Sequence, residues 1–269
     1  MDVLVSDKYS SFPLVSVFMP VYNQESYVAA AIDSVLQQTY ENLEIVISDD
    51  CSHDLTPVIV KQYAEKFPEK IKFYKLADKN LGKDHFEALL KKCTGEYICM
   101  FAGDDLMYPQ KIYQQINKTL ELKLSFHGHS VECINNQGDV FGNISSGKNI
   151  LLRGNWRLIF SGVPVAGCSW LFKKSCIEIH GALGFLHDFD IVIRCLRSGR
   201  RGYIDKDILG AYRVTQTSWS RNLRWQDYLI AYKNLLQSWV NAGMYLECVF
   251  LVLRMLVRIP RVLTRNLKV

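Results

Sequence analysis

Tyr97-Ile98-Cys99-Met100-Phe101-Ala102-Gly103-Asp104-Asp105 is an apolar run that ends in two adjacent acids. Tyr97–Phe101 reads as a buried strand, and paired carboxylates at the rim of a core are costly unless something cationic meets them. In open α/β sheets the ligand crevice lies at the carboxyl ends of the strands. Mg²⁺ takes oxygen ligands there and bridges one or two carboxylates to substrate phosphates. The plainer alternative is a Gly-Asp-Asp turn in which an Asp caps the helix that Pro109 opens.

Outward from this run, the first half of the chain alternates strand and helix patterns. Leu14–Met19, Leu43–Ser48 and Ile71–Leu76 are β-rich runs, and Glu25–Gln38, Asp54–Phe67 and Asp84–Cys93 carry helical apolar spacing. A further helix is expected from about Pro109 to Leu122. This order means βαβ units and a mainly parallel, Rossmann-like sheet flanked by helices, with right-handed crossovers. After Leu122 the rhythm changes. Leu124–Cys133, Val165–Lys173 and Gly202–Leu209 read as strands, Asp188–Arg197 and Trp225–Val240 as helices, and the polar, glycine-rich Gly142–Gly154 as a mobile loop. The organisation expected is a nucleotide-binding half over residues 1–123, an acceptor-facing half over 124–222, and a helical appendage over 223–269.

With 269 residues, 49% of them apolar, and no low-complexity tract, the chain has enough material for a sizeable globular core. The eight cysteines lack C-x-x-C spacing and several lie in apolar runs, which suits reduced buried thiols. Met1–Asp7 shows no signal-peptide pattern, and no run of eighteen apolar residues occurs, so the expectation is a cytoplasmic protein. Of the net charge of +5, residues 244–269 supply +4, so the excess is local. A nucleic-acid binder spreads basic charge over a face of the fold, so no nucleic-acid partner is expected.

Three further clusters fall at equivalent strand ends. Met19-Pro20-Val21-Tyr22-Asn23 offers a rigid turn with a ring able to stack on a base, or is an ordinary loop. Ser48-Asp49-Asp50 offers carboxylates to a base N–H or a ribose hydroxyl, or caps a helix. In Asn80-Leu81-Gly82-Lys83 the lysine reaches a phosphate or lies in solvent. Separately, His187-Asp188-Phe189-Asp190 opens a helix, where one acid is routine at the positive end of the dipole. Accepting the proton of an attacking hydroxyl would need an acid there to face the crevice of Asp105.

The chain resembles a family 2 glycosyltransferase of GT-A fold, the group that builds bacterial surface polysaccharides. The resemblance is carried by Val15–Asn23, Ser34–Tyr40, Leu43–Asp50, Asn80-Leu81-Gly82, Gly95–Ile98 and Gly103-Asp104-Asp105, and more weakly by Asp188-Phe189-Asp190 and Tyr212–Thr215. It implies that Pro20, Tyr22 and Asp50 hold the nucleobase of a UDP- or dTDP-sugar donor, with Asp49 supporting that loop. Asp104 would face the ribose or sugar, Asp105 would bind the Mg²⁺ or Mn²⁺ that bridges the diphosphate, and Asp188 would be the general base of an inverting displacement. Lys83 and Arg213 would add positive charge. The acceptor implied is a saccharide, lipid-linked on the cytoplasmic leaflet, in polysaccharide or O-antigen synthesis. Two departures stand out: Ala102-Gly103 where relatives carry an acid, and Thr215 where many carry a histidine near the diphosphate. They leave a non-catalytic sugar-nucleotide-binding module as an alternative. A nucleotidyltransferase is the less favoured enzyme alternative, since it would carry a glycine-rich, basic loop just after the first strand and Pro20–Gln24 offers none.

In the C-terminal tail, Glu247, Arg254, Arg258, Arg261 and Arg265 fall within about 40° of one line on a helix. A basic stripe on an otherwise apolar helix suits the interface of an anionic membrane, with arginines at the headgroups and a kink at Pro260. The alternative is packing on the catalytic domain or in a homodimer.

Overall fold

The computed structural model describes residues 12–81, 83–154, 165–178, 187–215, 225–241 and 243–266; the side chains of Lys83, Glu178, His187, Trp225, Asp227, Tyr228, Ala231 and everything beyond Met255 lie outside that description. Four strands open the fold: β1 Val15–Val21, β2 Leu43–Asp49, β3 Ile71–Lys75 and β4 Tyr97–Met100. Helices α1 Val28–Leu36, α2 Thr56–Lys66 and α3 Lys83–Leu90 cross between them. Then come β5 Leu106–Met107, α4 Lys111–Glu121 and β6 Phe126–Ile134, followed by β7 Val140–Ile144, β8 Ile150–Arg153 and β9 Leu171–Lys173. The chain closes with α5 Lys174–Glu178, α6 His187–Arg197, β10 Arg201–Arg213, α7 Trp225–Asn241 and α8 Tyr245–Asn266.

The ten strands form one sheet in the order β3-β2-β1-β4-β9-β6-β10-β5, with β7 against β6 and β8 against β10. β1 pairs in parallel with β2 and β4, and β2 with β3. β9 runs against both β4 and β6, and β10 lies parallel to β6. The long strands therefore all point one way, and their carboxyl ends share one edge.

Val17, Ile45, Val46, Ile47, Ile98 and Cys99 are fully buried. Strands covered on both faces read as continuous apolar runs, which is why the sequence showed them plainly. Phe18, Val46 and Ile98 pack with Leu89 of α3 and with Ile191, Val192 and Cys195 of α6. Val17, Ile45 and Ile47 pack instead with Ala31, Ile32 and Val35 of α1 and Ile112 and Ile116 of α4. The architecture is thus helix, sheet, helix, with α7 outside α6.

Several expectations are corrected. Residues 142–154, expected as a mobile loop, carry most of β7 and all of β8. Both are edge strands with only Leu152 buried, and their short runs Val140–Ile144 and Ile150–Arg153 are hidden in the sequence by the polar connection Ser145–Asn149 between them. The strand expected over Val165–Lys173 is confined to Leu171–Lys173. Ahead of it Gly167–Ser169 forms a 3₁₀ turn, with the Ser169 hydroxyl donating to the Ala166 carbonyl. β10 runs on to Arg213 through two register shifts. All eight cysteines are free thiols.

The tail also differs. Arg254 is buried, with its guanidinium 4.8 Å over the Phe189 ring and its Nε donating to Tyr232 Oη at 3.3 Å. Glu247 pairs with Arg197 at 3.4 Å. This stretch of the charged line therefore faces the domain, while Tyr245, Leu246, Val249, Val252 and Leu253 face outward. α8 runs through Pro260 to Asn266. Among the described residues no helix is long and apolar enough to cross a membrane.

Candidate active site

The loops after β1 and β2 are stitched to each other. The Asn23 amide donates to Ser52 Oγ at 2.8 Å, the His53 amide to Asn23 Oδ1 at 2.9 Å, and the Gln24 amide to Thr56 Oγ1 at 2.7 Å. Asn23 and Cys51 take left-handed backbone, φ 50° and 65°, which lets both loops turn sharply at the sheet edge. Asp49 spends both carboxylate oxygens on Ser52, accepting from its amide and its hydroxyl. Asp50 is buried, and its Oδ1 accepts the Leu81 amide at 2.7 Å, which ties the loop after β3 to the same edge. Above these stand half-buried Pro20 and the Tyr22 ring, 45% exposed. Pro20, Tyr22, Asp49 and Asp50 are therefore together. Lys83 begins α3 nearby in sequence, with its side chain outside the description.

β4 delivers the acidic pair. Asp104 is half-buried and Asp105 is 1% exposed. Oδ1 of Asp105 accepts the backbone N–H of Arg213 at 2.8 Å, and the Cys168 thiol lies close to the same carboxylate. Burial and the neighbouring Asp104 charge push the Asp105 carboxyl well above the usual carboxylate range, against the pull of those two groups. Burial raises Asp104 too, and Arg213 opposes it. Arg213 is buried; its Nε donates to the Asp104 carbonyl at 2.8 Å, its Nη1 to the Asn135 carbonyl at 2.6 Å, and its guanidinium lies 4.6 Å from the Tyr27 ring centre. It straps the acidic loop to the end of β10. Thr215 is buried just beyond. A Cβ on Gly103 would come within 2.4 Å of Gln24 Oε1 and 2.7 Å of Val21 Cγ1, so this approach of loop to strand leaves no room for an acid there.

Asp188 is the second residue of α6 and half-buried. Desolvation raises its pKa, while the Phe189 amide, donating to Oδ1 at 2.8 Å, and the nearby Trp170 indole pull it down. The indole N–H stops short of hydrogen-bond geometry. Asp190 is fully enclosed.

The 3₁₀ turn joins the two acidic centres. Within three residues, Cys168 reaches Asp105 and Trp170 lies beside Asp188. Trp170 is itself fixed, its carbonyl accepting the Met100 amide at 2.9 Å and its ring packing on Phe126 and Phe172. Beneath the pair lies Lys111, 1% exposed, donating to the Cys168 carbonyl at 2.9 Å and approaching Cys99 Sγ at 3.1 Å. Sequence reading missed Cys168, Trp170 and Lys111. A signal was available for the lysine alone, as a charge at the start of a helix on the face that also buries Ile112 and Ile116.

The family model for glycosyl transferase family 2 matches residues 16–179. The chain belongs to this family. It is 33% identical over 215 residues to an uncharacterized glycosyltransferase of Rickettsia typhi, covering 75% of this chain and 64% of that protein. It is 28% identical over 237 residues to the Escherichia coli UDP-Glc:alpha-D-GlcNAc-diphosphoundecaprenol beta-1,3-glucosyltransferase WfgD, covering 87% of each. The chain spans less than two thirds of the length of the rickettsial relatives it matches, 64% and 38% for two of them. Among solved structures it resembles Staphylococcus aureus TarS 1–349 in complex with UDP-GlcNAc, with TM-score 0.69, 18% identity, and 90% of this chain and 71% of that one covered. It also resembles a Pyrobaculum calidifontis mannosyltransferase in complex with GDP-Man and Mn²⁺, with TM-score 0.56, 19% identity, and 87% and 65% covered. These likenesses establish the GT-A fold for this family 2 chain.

Proposed function

We propose that the chain is a metal-dependent inverting glycosyltransferase that moves a sugar from a UDP- or dTDP-sugar to a saccharide acceptor, lipid-linked, in surface-polysaccharide assembly. The observation that carries this reading is the segment Gly167–Trp170, which brings Cys168 beside Asp105 of the acidic pair and Trp170 beside Asp188 of α6. Pro20, Tyr22 and Asp50 form the nucleobase pocket, with Asp49 bracing its loop through Ser52. Asp104 faces the ribose or sugar, and Lys83 and Arg213 supply positive charge around the diphosphate.

The residues present fit a divalent cation that arrives with its nucleotide. Among the described residues no three His, Cys, Asp or Glu side chains gather to hold a metal alone. Asp104 and Asp105 are adjacent, desolvated carboxyls that a cation would return to their ionised forms. Asp105 still has lone pairs beyond the one used by the Arg213 amide. Asp105, with Asp104 beside it, would hold Mg²⁺ or Mn²⁺ together with the diphosphate, and the ion would supply positive charge for the departing nucleoside diphosphate. Asp188, with its pKa raised by burial, takes the proton of the attacking acceptor hydroxyl. Contact with the membrane that holds such an acceptor would use the outward apolar residues of α8.

The test measures release of nucleoside diphosphate from UDP-Glc, UDP-GlcNAc and dTDP-Glc, with Mn²⁺ and with EDTA, beside thermal stabilisation by each. Metal-dependent release of one nucleotide is expected. Stabilisation without release from any donor would favour the non-catalytic binding module, the reading that Thr215 supports. Neither stabilisation nor release would remove the donor assignment.

A further inference from the structure

We propose that the C-terminal helices position the catalytic base: Trp239 of α7 acting through Asp190, and Arg254 of α8 acting through Phe189, set where Asp188 stands. This rests on the reading of Asp188 as base.

Asp188 has few fixed contacts of its own, whereas the residues around it are clamped. Oδ1 of Asp190 accepts the indole N–H of Trp239 at 2.5 Å and Nε–H of Arg194 at 2.8 Å. Arg194 Nη2 donates to Ser238 Oγ at 2.6 Å. Asp190 and Trp239 are fully buried and Arg194 nearly so, so this network excludes water. Phe189 stacks on the Trp239 ring with centroids 6.2 Å apart and an interplanar angle of 28°, and Arg254 lies 4.8 Å from the Phe189 ring centre. At the far end of α6, Arg197 donates to the Gly243 carbonyl at 2.9 Å and pairs with Glu247.

Apolar packing alone would hold α6 against α7 while leaving its rotation loosely fixed. Directional hydrogen bonds to a buried carboxylate fix the rotation. Asp188 and Asp190 lie two positions apart, about 200° around the helix, so the face locked to α7 by Asp190 turns Asp188 the other way, toward Trp170. Burial and engagement of Asp190 also leave Asp188 as the acid of this pair that an acceptor can reach.

The experiment compares wild type with Trp239→Phe, which keeps the stacked ring and loses the N–H, and with Asp190→Asn and Asp190→Ala. Amide hydrogen exchange is followed in residues 187–197 against β1 and β2, with UDP affinity and turnover of the UDP-sugar that wild type accepts. Trp239→Phe is expected to speed exchange in α6 about tenfold, with β1 and β2 unchanged and UDP affinity within about twofold. Turnover should fall about 10- to 100-fold, since small displacements of a reacting group cost that much. Asp190→Asn keeps an acceptor for Trp239 and should retain far more turnover than Asp190→Ala; an equal, complete loss in both would make Asp190 itself the base and overturn the proposal. Wild-type exchange and turnover in Trp239→Phe would overturn it too, as would faster exchange spread over β1 and β2. Exchange needs no substrate, so a wild type that turns over no donor would sink the transferase reading and leave exchange to judge the clamp.

Discussion

Glu44→Gln should cost the fold about 3 kcal/mol at neutral pH while leaving the chemistry alone. Glu44 sits near the start of β2, about 17 Å along the strand from Asp49, at the edge of the sheet away from the site. Its carboxylate accepts from Ser16 Oγ at 2.5 Å, Lys72 Nζ at 2.5 Å, and the Thr94 amide and hydroxyl at 2.6 and 2.8 Å. One side chain thus joins β1, β2, β3 and the turn before β4. Burial by itself would raise its pKa, but the Lys72, Ser16 and Thr94 donors outweigh that and bring it from 4.5 to about 2. A displacement of roughly 2.5 pKa units corresponds to about 3 kcal/mol at ~1.4 kcal/mol per unit. Because the folded value lies below the unfolded one, this stabilisation is complete above pH 4.5 and is lost as pH falls through about 2. The amide presents N–H groups to donors and keeps no charge for Lys72. Urea unfolding of both proteins at several pH values between about 7 and 2.5 reads the difference directly. The gap should be near 3 kcal/mol at neutral pH, about 6–10 °C in Tm, and should narrow in acid. A gap under 1 kcal/mol at pH 7, or one that stays constant on acidification, would refute the account.

Asp188→Asn should leave Tm and UDP binding close to wild type and reduce transfer on the order of 10²–10⁴-fold; transfer at the wild-type rate would take Asp188 out of the mechanism. Asp105→Ala should abolish turnover, and wild type should lose it in excess EDTA; full activity in either case would contradict the metal assignment. His127 is held by burial at about 4, with Lys118 and Lys111 adding repulsion against the Gln115 carbonyl, so acid favours the unfolded chain. Stability should therefore drop by about 3 kcal/mol as pH falls from 6.5 to 4, and a His127→Asn variant with an undiminished slope in that window would show that another group is responsible. Full-length protein should float with anionic liposomes at low salt, and Val249→Asp with Leu253→Asp should weaken this; no flotation of wild type would make α8 a packing element.

The sequence by itself determined the parallel half of the fold. Val15–Val21, Leu43–Asp49 and Tyr97–Met100 are buried on both faces, so composition alone marks them, and acids at the ends of β2 and β4 had to mean something because burial makes them costly. Local pattern also put Asp188 at a helix start. It failed on β7 and β8, whose edge positions leave most side chains in solvent, and on the turn before β9, whose small residues carry no period. Only tertiary structure could bring Cys168 to Asp105 and Trp170 to Asp188, since these contacts join residues far apart in the chain whose partners leave no trace in local spacing. Tertiary structure also reversed the sense of the tail. A helical wheel shows that Glu247 and Arg254 share a line with the other arginines, but not which side of α8 meets the domain. Phe189, Tyr232 and Arg197 decide that, by offering an aromatic face, a hydroxyl and a cation to the charged side and leaving the apolar side to the outside.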